Sequence, residues 1–263
     1  MDGEEVEVRL PGGNVGGAVR IGATVRRPTG PWTPAVHALL GYLAGRLPGV
    51  PRVLGQDEQG REVLSFLPGR VIDTGSEMLT PGQIVSVARW TCAFHQAAAG
   101  FAHPGPWRFF PVPGATMIGH NDIAPYNVCF DGDQACGVFD WDLSGPSTPL
   151  LELAFIAWNC VPLWTDIGAG AAAERLKLIA SAYGAAGGPG RPDESGRSGG
   201  FSASEILHAV PGRIGLMLDG IPVAAAAGDQ GMANLMTVGE PGRSRLSLAG
   251  LVGRIPAIAR HLS

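Results

Sequence analysis

Two short stretches, GHNDIAPYN at residues 119–127 and GVFDWD at residues 137–142, decide how this sequence is interpreted. Between them, two runs rich in β-forming residues enclose a polar turn at residues 131–134, DGDQ. Such runs on either side of a turn that contains Asp and Gly predict a β-hairpin. The two polar stretches therefore stand at the open end of one hairpin.

The register of this hairpin follows from its turn. A hairpin centred on the turn pairs Phe130 with Ala135, so that residues near 126–127 lie opposite residues near 138–139. Asn127 and Asp140 then share one end of the hairpin. An amide oxygen and a carboxylate brought together in this way are hard oxygen ligands, which Mg²⁺ takes together with phosphate oxygens and water.

The spacing of three polar residues indicates which kind of reaction the site could carry out. Asp122 and Asn127 are five residues apart, and Asp140 follows thirteen residues later. Base, amide ligand and carboxylate ligand have this order and a similar spacing in the catalytic loops of kinases. The alternative interpretation is local turn and cap chemistry, because Asp and Asn are favoured there for their short hydrogen bonds.

Three neighbouring residues have open roles. His120 either supports the loop or meets the substrate, and a buried His is more often simply hydrogen-bonded. Asp142 is either an outer-sphere carboxylate at the metal site, which does not bind the ion directly, or a solvent-facing strand residue. Glu152, early in a predicted helix, favours the positive end of the helix dipole, and we expect it to support the site rather than to react.

The first quarter of the chain predicts a small antiparallel sheet and one helix. Short β-rich runs broken by glycines fill residues 6–26, and two more surround the polar turn DEQG at residues 57–60. Between them, TPAVHALLGYLAG at residues 33–45 predicts a helix capped by Thr33, with Val36 on its apolar face. Pro68 and Gly69 end this part of the chain.

Beyond that point the pattern is mainly helical. A helix is expected from Pro81 to about Ala99 after the cap Thr80, with His95 on its apolar face as a core residue. Another is expected to start at Thr148 and Pro149. The fold class is therefore α+β with two lobes: a small β-rich N-lobe at residues 1–68 and a mainly helical C-lobe at residues 69–263.

Composition excludes several classes of protein. The chain has 263 residues, 45% of them apolar, a net charge of −4 and a pI near 5.8, with no basic stripe for nucleic acid or an anionic membrane. The N-terminus lacks the pattern of a signal peptide, and no apolar run is long enough to span a bilayer. We expect a globular cytoplasmic protein without nucleic-acid or membrane partners; its oligomeric state stays open.

Together the two polar stretches resemble a known family. HNDIAPYN and GVFDWD are similar to the HGD-type catalytic loop and the metal-binding Asp of the aminoglycoside-phosphotransferase and choline-kinase-like families, which have the protein-kinase-like fold. VPRVLG and EVLSFLPG resemble the end of that family's small lobe and its hinge, and LLELAFIAWN resembles the helix after the metal site. The similarity covers roughly residues 10 to 180.

The resemblance implies a small-molecule kinase, a phosphotransferase with an alcohol group as acceptor, that uses ATP or GTP and Mg²⁺. It makes Asp122 the catalytic base, places His120 in the catalytic loop as a support, and makes Asn127 and Asp140 the metal ligands. The implied nucleotide contacts are the backbone of Ser65, Phe66 and Leu67, the glycine-rich loop with Gly12, Gly13 and Asn14, and a cation on the third strand.

Two parts of this assignment have alternatives. Arg26 is the expected phosphate-binding cation, with Arg27 as the second choice, although Arg26 could also be a solvated strand residue. The glycine-rich loop PGGNVGG could equally be a plain hairpin loop.

The sequence departs from the family at one point. The helix that normally supplies a Glu partner to the cation has Val36 and His37 instead, and neither forms the usual ion pair. The second hypothesis is therefore a catalytically weak or inactive pseudokinase that binds a nucleotide, a peptide or a partner. A protein kinase is a third hypothesis, but no APE-like motif follows FDWD.

The acceptor is not identified by any motif. It could be an antibiotic, which implies a resistance or self-protection enzyme, or a biosynthetic intermediate. Four acidic residues in the second half of the chain could meet a cationic substrate or be ordinary surface charges: Asp166, Glu174, Asp219 and Asp229.

Overall fold

A computed structural model describes residues 6–10, 17–190 and 199–263 of the chain. Its first part is a five-stranded antiparallel sheet with the strand order β1-β2-β3-β5-β4. The strands are β1 (Val8–Arg9), β2 (Val19–Ile21), β3 (Thr24–Arg27), β4 (Val53–Gln56) and β5 (Glu62–Ser65). This is the small sheet that the glycine-broken β-rich runs predict.

The register between β3 and β5 determines which arginine faces the rest of the protein. Arg26 pairs with Val63 and Arg27 pairs with Glu62 across the two strands. Because successive side chains in a strand point to opposite faces, the two neighbouring arginines are directed to opposite sides of the sheet.

The helix α1 (Thr33–Leu43) lies between β3 and β4 and packs its apolar side into the core. Val36 is 3% exposed, as expected from the spacing of the apolar residues. The predicted cap is wrong, because the residue before the helix is Trp32 and no side chain caps it. The Thr33 hydroxyl instead accepts a hydrogen bond from the backbone N–H of Gly30, at 2.9 Å.

The mainly helical part starts after the sheet. Its first helix, α2 (Pro81–Ala98), has Thr80 as N-cap, and the capping box with Gln83 is complete on both sides. The next helix, α3 (Pro149–Cys160), begins where a helix start was predicted, and the Thr148 side chain caps it. Four further helices follow: α4 (Ala169–Ala185), α5 (Ala203–Ala226), α6 (Gln230–Thr237) and α7 (Gly242–Ala259).

Two small antiparallel pairs separate α2 from α3. Strand β6 (Met117–Gly119) pairs with β9 (Gly145–Ser147), and β7 (Val128–Asp131) pairs with β8 (Gln134–Val138). In the second pair Phe130 lies opposite Ala135, as predicted, but a bulge between Cys129 and Phe130 shifts the pairing beyond it by one residue, so that Val128 lies opposite Val138. The bridge from Arg70 to Phe130 attaches the chain just after the small sheet to this hairpin.

Helix α5 is the one helix among the described residues that is long and apolar enough to cross a membrane. It packs against α3, α4, α6 and α7 and buries one side of its surface. Arg213 is fully buried on that side, between the apolar residues Val210 and Ile214. Through these contacts α5 joins the other helices of the mainly helical part.

A buried His in α2 makes the stability of the fold depend on pH. His95 is 2% exposed, and its Nδ1 lies 2.7 Å from the Tyr183 hydroxyl, whereas its Nε2 has no partner among the described residues. Burial lowers the pKa of His95 to about 3. Since the unfolded chain has a His pKa near 6.5, folding requires a neutral ring below that pH.

We expect the free energy of unfolding to fall as the pH drops from about 6.5 towards 3, and His95 alone to contribute about 2 kcal/mol of that loss by pH 5. His95→Gln has no titrating group there and should lose about that much less between pH 7.5 and pH 5. Urea unfolding of both proteins at the two pH values measures the difference. An equal loss in the two proteins would contradict the assignment.

Candidate active site

The end of the β7–β8 hairpin brings three polar side chains of the sequence motif together. The Asn127 amide donates to the Asp122 carboxylate (Nδ2 to Oδ2, 2.8 Å) and to the Asp122 carbonyl oxygen (3.0 Å). The backbone N–H of Phe139 donates to the Asn127 carbonyl oxygen at 3.0 Å, which sets Asp140 beside this pair. The predicted juxtaposition of Asn127 and Asp140 is thus a consequence of the hairpin register.

Two residues at this site have left-handed backbone conformations. Asp140 has φ 61° and ψ 64°, and Asn121 has φ 63°. Asn and Asp are the non-glycine residues that adopt this region most readily. Asn121 can therefore stand where an HGD-type loop has Gly, and the turn at Asp140 leaves its side chain 38% exposed.

His120 supports the catalytic loop from the inside. The ring is fully buried and lies on Trp141, with the ring centres 4.5 Å apart. Its Nδ1 accepts from the Asp122 backbone N–H at 3.2 Å, and its Nε2–H donates to the Phe139 carbonyl oxygen at 3.1 Å. Burial lowers the pKa of His120 to about 4, so the ring is neutral and both nitrogens are used. Of its two possible roles, this geometry favours support.

Glu152 and Arg213 bind the backbone of the loop at His120 and Asn121. Both carboxylate oxygens of Glu152 accept backbone hydrogen bonds at 2.9 Å, one from His120 and one from Asn121. Arg213 donates to the Asn121 carbonyl oxygen at 2.7 Å. Glu152 is therefore placed as a support, as expected.

Arg213 is a site residue that the sequence analysis missed. Its guanidinium lies over the rings of Phe109 and Phe155, at 4.6 and 4.5 Å, and burial lowers its pKa to about 10. The available signal was one Arg on the apolar stripe of α5, between Val210 and Ile214. Sequence spacing could not relate it to Asn121, because the two residues are 92 positions apart.

The cation beside Asp140 and Asp142 is Arg27. Its Nη2 lies 2.9 Å from Oδ1 of Asp140 and 2.7 Å from Oδ2 of Asp142. Arg26, the expected residue, instead contacts Thr24 and has its Nε 3.7 Å from Asp57. The structure thus places the second choice, and not Arg26, at the end of the hairpin, because the two arginines point to opposite faces of β3.

Asp142 is enclosed by cations. Besides Arg27, its carboxylate lies 3.5 Å from Nη1 of Arg108, and its side chain is 11% exposed. Arg108 in turn pairs through two 2.7 Å hydrogen bonds with Asp229, the cap of α6, and lies over the Trp32 ring at 4.3 Å. Of the two interpretations of Asp142, the outer-sphere carboxylate agrees with these contacts.

The predicted nucleotide-binding segments differ in how much of their backbone is available. The backbone N–H of Ser65 donates to Arg52, and that of Phe66 donates to Ala23, both at 2.9 Å within the small sheet. These two N–H groups are therefore not free to donate to a nucleotide base. The N–H of Leu67 has no partner among the described residues. Gly12, Gly13 and Asn14 lie outside the described residues.

The electrostatic environment of Asp122 changes its acidity. Burial and the negative charge of Asp140 raise the pKa of Asp122 to about 8, and Arg213 and the hydrogen bond from Asn127 oppose this rise. Positive charge brought next to Asp140 would therefore favour the ionised form of Asp122. The group is placed to exchange a proton with a molecule bound in front of it.

Comparison with known proteins identifies the family of the chain. The model of the phosphotransferase enzyme family matches residues 23–116 and 111–193. A trifolitoxin immunity protein from Rhizobium leguminosarum bv. trifolii is 32% identical over 197 residues, which cover 68% of this chain and 74% of that protein.

Solved structures of similar shape support the fold. An amicoumacin kinase in complex with AMP-PNP has a TM-score of 0.62 at 12% identity and covers 96% of this chain and 88% of its own. A microcompartment-associated aminopropanol kinase has a TM-score of 0.59 at 12% identity and covers 98% and 93%. The expected kinase-like fold, with its small sheet followed by a mainly helical part, is confirmed. The chain belongs to the phosphotransferase enzyme family and is a phosphotransferase that acts on hydroxyl groups.

Proposed function

We propose that this protein transfers the γ-phosphoryl group of ATP or GTP to a hydroxyl group of a small molecule. The observation that carries the proposal is the arrangement at the hairpin end, where Asn127 donates to Asp122 and Arg27 contacts Asp140. Base, amide, carboxylate and cation are the groups that phosphoryl transfer requires, because its catalysis is mostly positioning and charge neutralisation.

In this proposal Asp122 orients the acceptor hydroxyl and takes its proton. The Asn127 amide and the Tyr126 hydroxyl, 2.8 and 3.3 Å from its two carboxylate oxygens, fix the direction of the carboxylate. A base must lie within hydrogen-bond reach of the proton that it removes. The half-buried position of Asp122 beside the exposed Tyr126 leaves one side open to an acceptor.

Asn127 and Asp140 would hold Mg²⁺, which neutralises charge on the phosphate oxygens when it is bound. The donors fit this ion, since both offer hard oxygen atoms and the Asp140 side chain is 38% exposed. No group of three or more His, Cys, Asp and Glu residues that could bind a metal occurs among the described residues. Few protein ligands are typical of Mg²⁺, which relies on phosphate oxygens and water for the rest.

We propose the small sheet, up to about residue 68, as the nucleotide-binding lobe and Arg27 as its phosphate contact. Arg27→Ala should weaken ATP or GTP binding by ~10-fold or more, the scale of a lost hydrogen bond between charged groups. Arg26→Ala should bind nucleotide like the wild type, because Arg26 faces Asp57. Calorimetry measures the nucleotide affinity of both variants. A larger loss of affinity in Arg26→Ala than in Arg27→Ala would restore Arg26 as the phosphate contact.

The acceptor is proposed from the relatives. A relative is a trifolitoxin immunity protein, and one structural neighbour is an amicoumacin kinase, so we propose a toxic small molecule as acceptor and a resistance or self-protection role in the cytoplasm. A biosynthetic intermediate remains the second candidate acceptor.

The acidic residues of the helical part give no support for a cationic acceptor. Each of the four lies next to a basic side chain of the same chain, with N–O distances of 2.7 to 4.0 Å. The pairs are Asp166–Arg254, Glu174–Lys177, Asp219–Arg245 and Asp229–Arg108.

A nucleotide-consumption screen tests the proposed function. Purified protein with Mg²⁺ and either ATP or GTP is combined with aminoglycosides, macrolides, nucleosides, choline and simple sugars. We expect acceptor-dependent consumption with at least one class, and its loss in Asp122→Asn. Nucleotide binding without consumption for any acceptor would favour the pseudokinase, and neither binding nor consumption would contradict the proposal.

A further inference from the structure

A buried carboxylate, Glu62, connects Arg27 to the first helix. Glu62 lies directly opposite Arg27 in the β3–β5 pair, and its Oε1 is 3.5 Å from Nε of Arg27. Its other oxygen, Oε2, accepts a hydrogen bond from Nε2 of His37 in α1, at 2.8 Å. Glu62 on β5 therefore contacts Arg27 on β3 with one oxygen and His37 on α1 with the other.

The contacts leave Glu62 little freedom. Its side chain is 4% exposed, and a carboxylate at such depth is stable only when charged or polar partners satisfy it. Directly opposed residues of an antiparallel pair have neighbouring side chains, so the strand register holds Glu62 and Arg27 together. His37 fixes the far oxygen, which prevents the carboxylate from turning away.

Different atoms of the Arg27 guanidinium have different partners. Nε faces Glu62, whereas Nη2 extends to Asp140 and Asp142 at 2.9 and 2.7 Å. The planar fork of an arginine can be held at one atom while another donates to a ligand. When Asp140 binds a cation, Arg27 loses its contact with Asp140, but it keeps its contact with Glu62.

We infer that Glu62, fixed by His37, is the positioning residue that orients Arg27 towards the nucleotide phosphates. A carboxylate on strand β5 thus does the work for which the sequence comparison expected a Glu on α1, where Val36 is buried in the core and His37 binds Glu62 instead. The inference rests on the proposed function, because it assumes that the phosphates of a nucleotide lie beside Arg27.

The test is a double-mutant cycle measured by calorimetry. Wild type, Glu62→Gln, Arg27→Ala and the double variant are titrated, with Mg²⁺, with ATP, ADP and adenosine, or with the guanine series if the wild type binds GTP. We expect Glu62→Gln to weaken binding of both phosphorylated ligands by about tenfold and to leave the nucleoside unchanged. In the Arg27→Ala background the same substitution should have no further effect.

A matched control is Glu7→Gln, since Glu7 also pairs with an arginine of the small lobe, Arg61, at 2.8 Å, away from the hairpin end. It should bind all three ligands like the wild type. If Glu62→Gln does not fold, as judged by circular dichroism, His37→Ala takes its place and should weaken ATP binding by about threefold only when Arg27 is present.

The outcomes separate the inference from the proposed function. A Glu62→Gln protein that binds ATP like the wild type, loses nucleoside affinity equally, or shows the same loss in both backgrounds overturns the positioning role alone. A wild-type protein that binds neither ATP nor GTP overturns the proposed function, and this inference with it. If Glu62→Gln weakens the binding of ATP and ADP but not of adenosine, and only when Arg27 is present, the result supports both the inference and the proposed function.

Discussion

Asp122→Asn is expected to lower acceptor-dependent turnover by at least ~10²-fold while nucleotide affinity stays within about twofold of the wild type. The amide cannot accept the proton of the acceptor hydroxyl, but it retains the size of the carboxylate beside Asn127 and Tyr126. Steady-state kinetics with the acceptor found in the screen give the turnover number, and calorimetry gives the affinity.

The control for this substitution is Asp131→Asn, because Asp131 is an exposed residue at the turn end of the same hairpin. It should keep the turnover of the wild type. Turnover that is unchanged in Asp122→Asn would remove Asp122 from the mechanism, whereas an equal loss of turnover and of nucleotide affinity would mark it as a structural residue.

Asp140→Asn is expected to abolish the dependence of nucleotide binding on Mg²⁺. Asn tolerates the left-handed backbone at this position, where φ is 61°, so the variant removes the charge with little change in conformation. We expect the affinity for ATP with Mg²⁺ to fall by at least ~10²-fold, since even the loss of an outer partner of a metal ligand costs ~10–100-fold in metal affinity.

Calorimetry with Mg²⁺ and with a chelator measures this dependence in the wild type and the variant. Asp131→Asn again provides a carboxylate control in the same hairpin. A wild-type protein that binds ATP equally well in both conditions would contradict the assignment of Asp140 as a metal ligand, and so would a variant that keeps the full effect of Mg²⁺.

The pairing around Asp140 also bears on the pseudokinase hypothesis. That hypothesis rested on the missing helix Glu, which would leave the cation of β3 without a partner. Arg27 instead has three carboxylate neighbours, Glu62, Asp140 and Asp142. If Glu62 positions Arg27 as inferred above, a contact across the sheet takes the place of the missing helix Glu.

The sequence alone determined what depends on neighbouring residues. The pairing of Phe130 with Ala135 follows from one polar turn, and the cap Thr80 and the helix start at Thr148 follow from side chains within three residues of the amides that they bind. The bulge that brings Val128 opposite Val138 was not predicted. The two motifs within residues 119–142 carry most of the resemblance to the family, because the loop and the hairpin that they form are local structures. For the same reason the order of a small sheet followed by helices could be predicted.

Only the tertiary structure decided which distant residues complete the site. The choice between Arg26 and Arg27 depends on the face of β3 that meets the hairpin, and a shift of one residue reverses the face. Glu62 and Arg213 reach Arg27 and Asn121 from 35 and 92 positions away in the chain. Contacts over such separations are set by how strands and helices pack, and short-range patterns of apolar residues and turns carry no information about them.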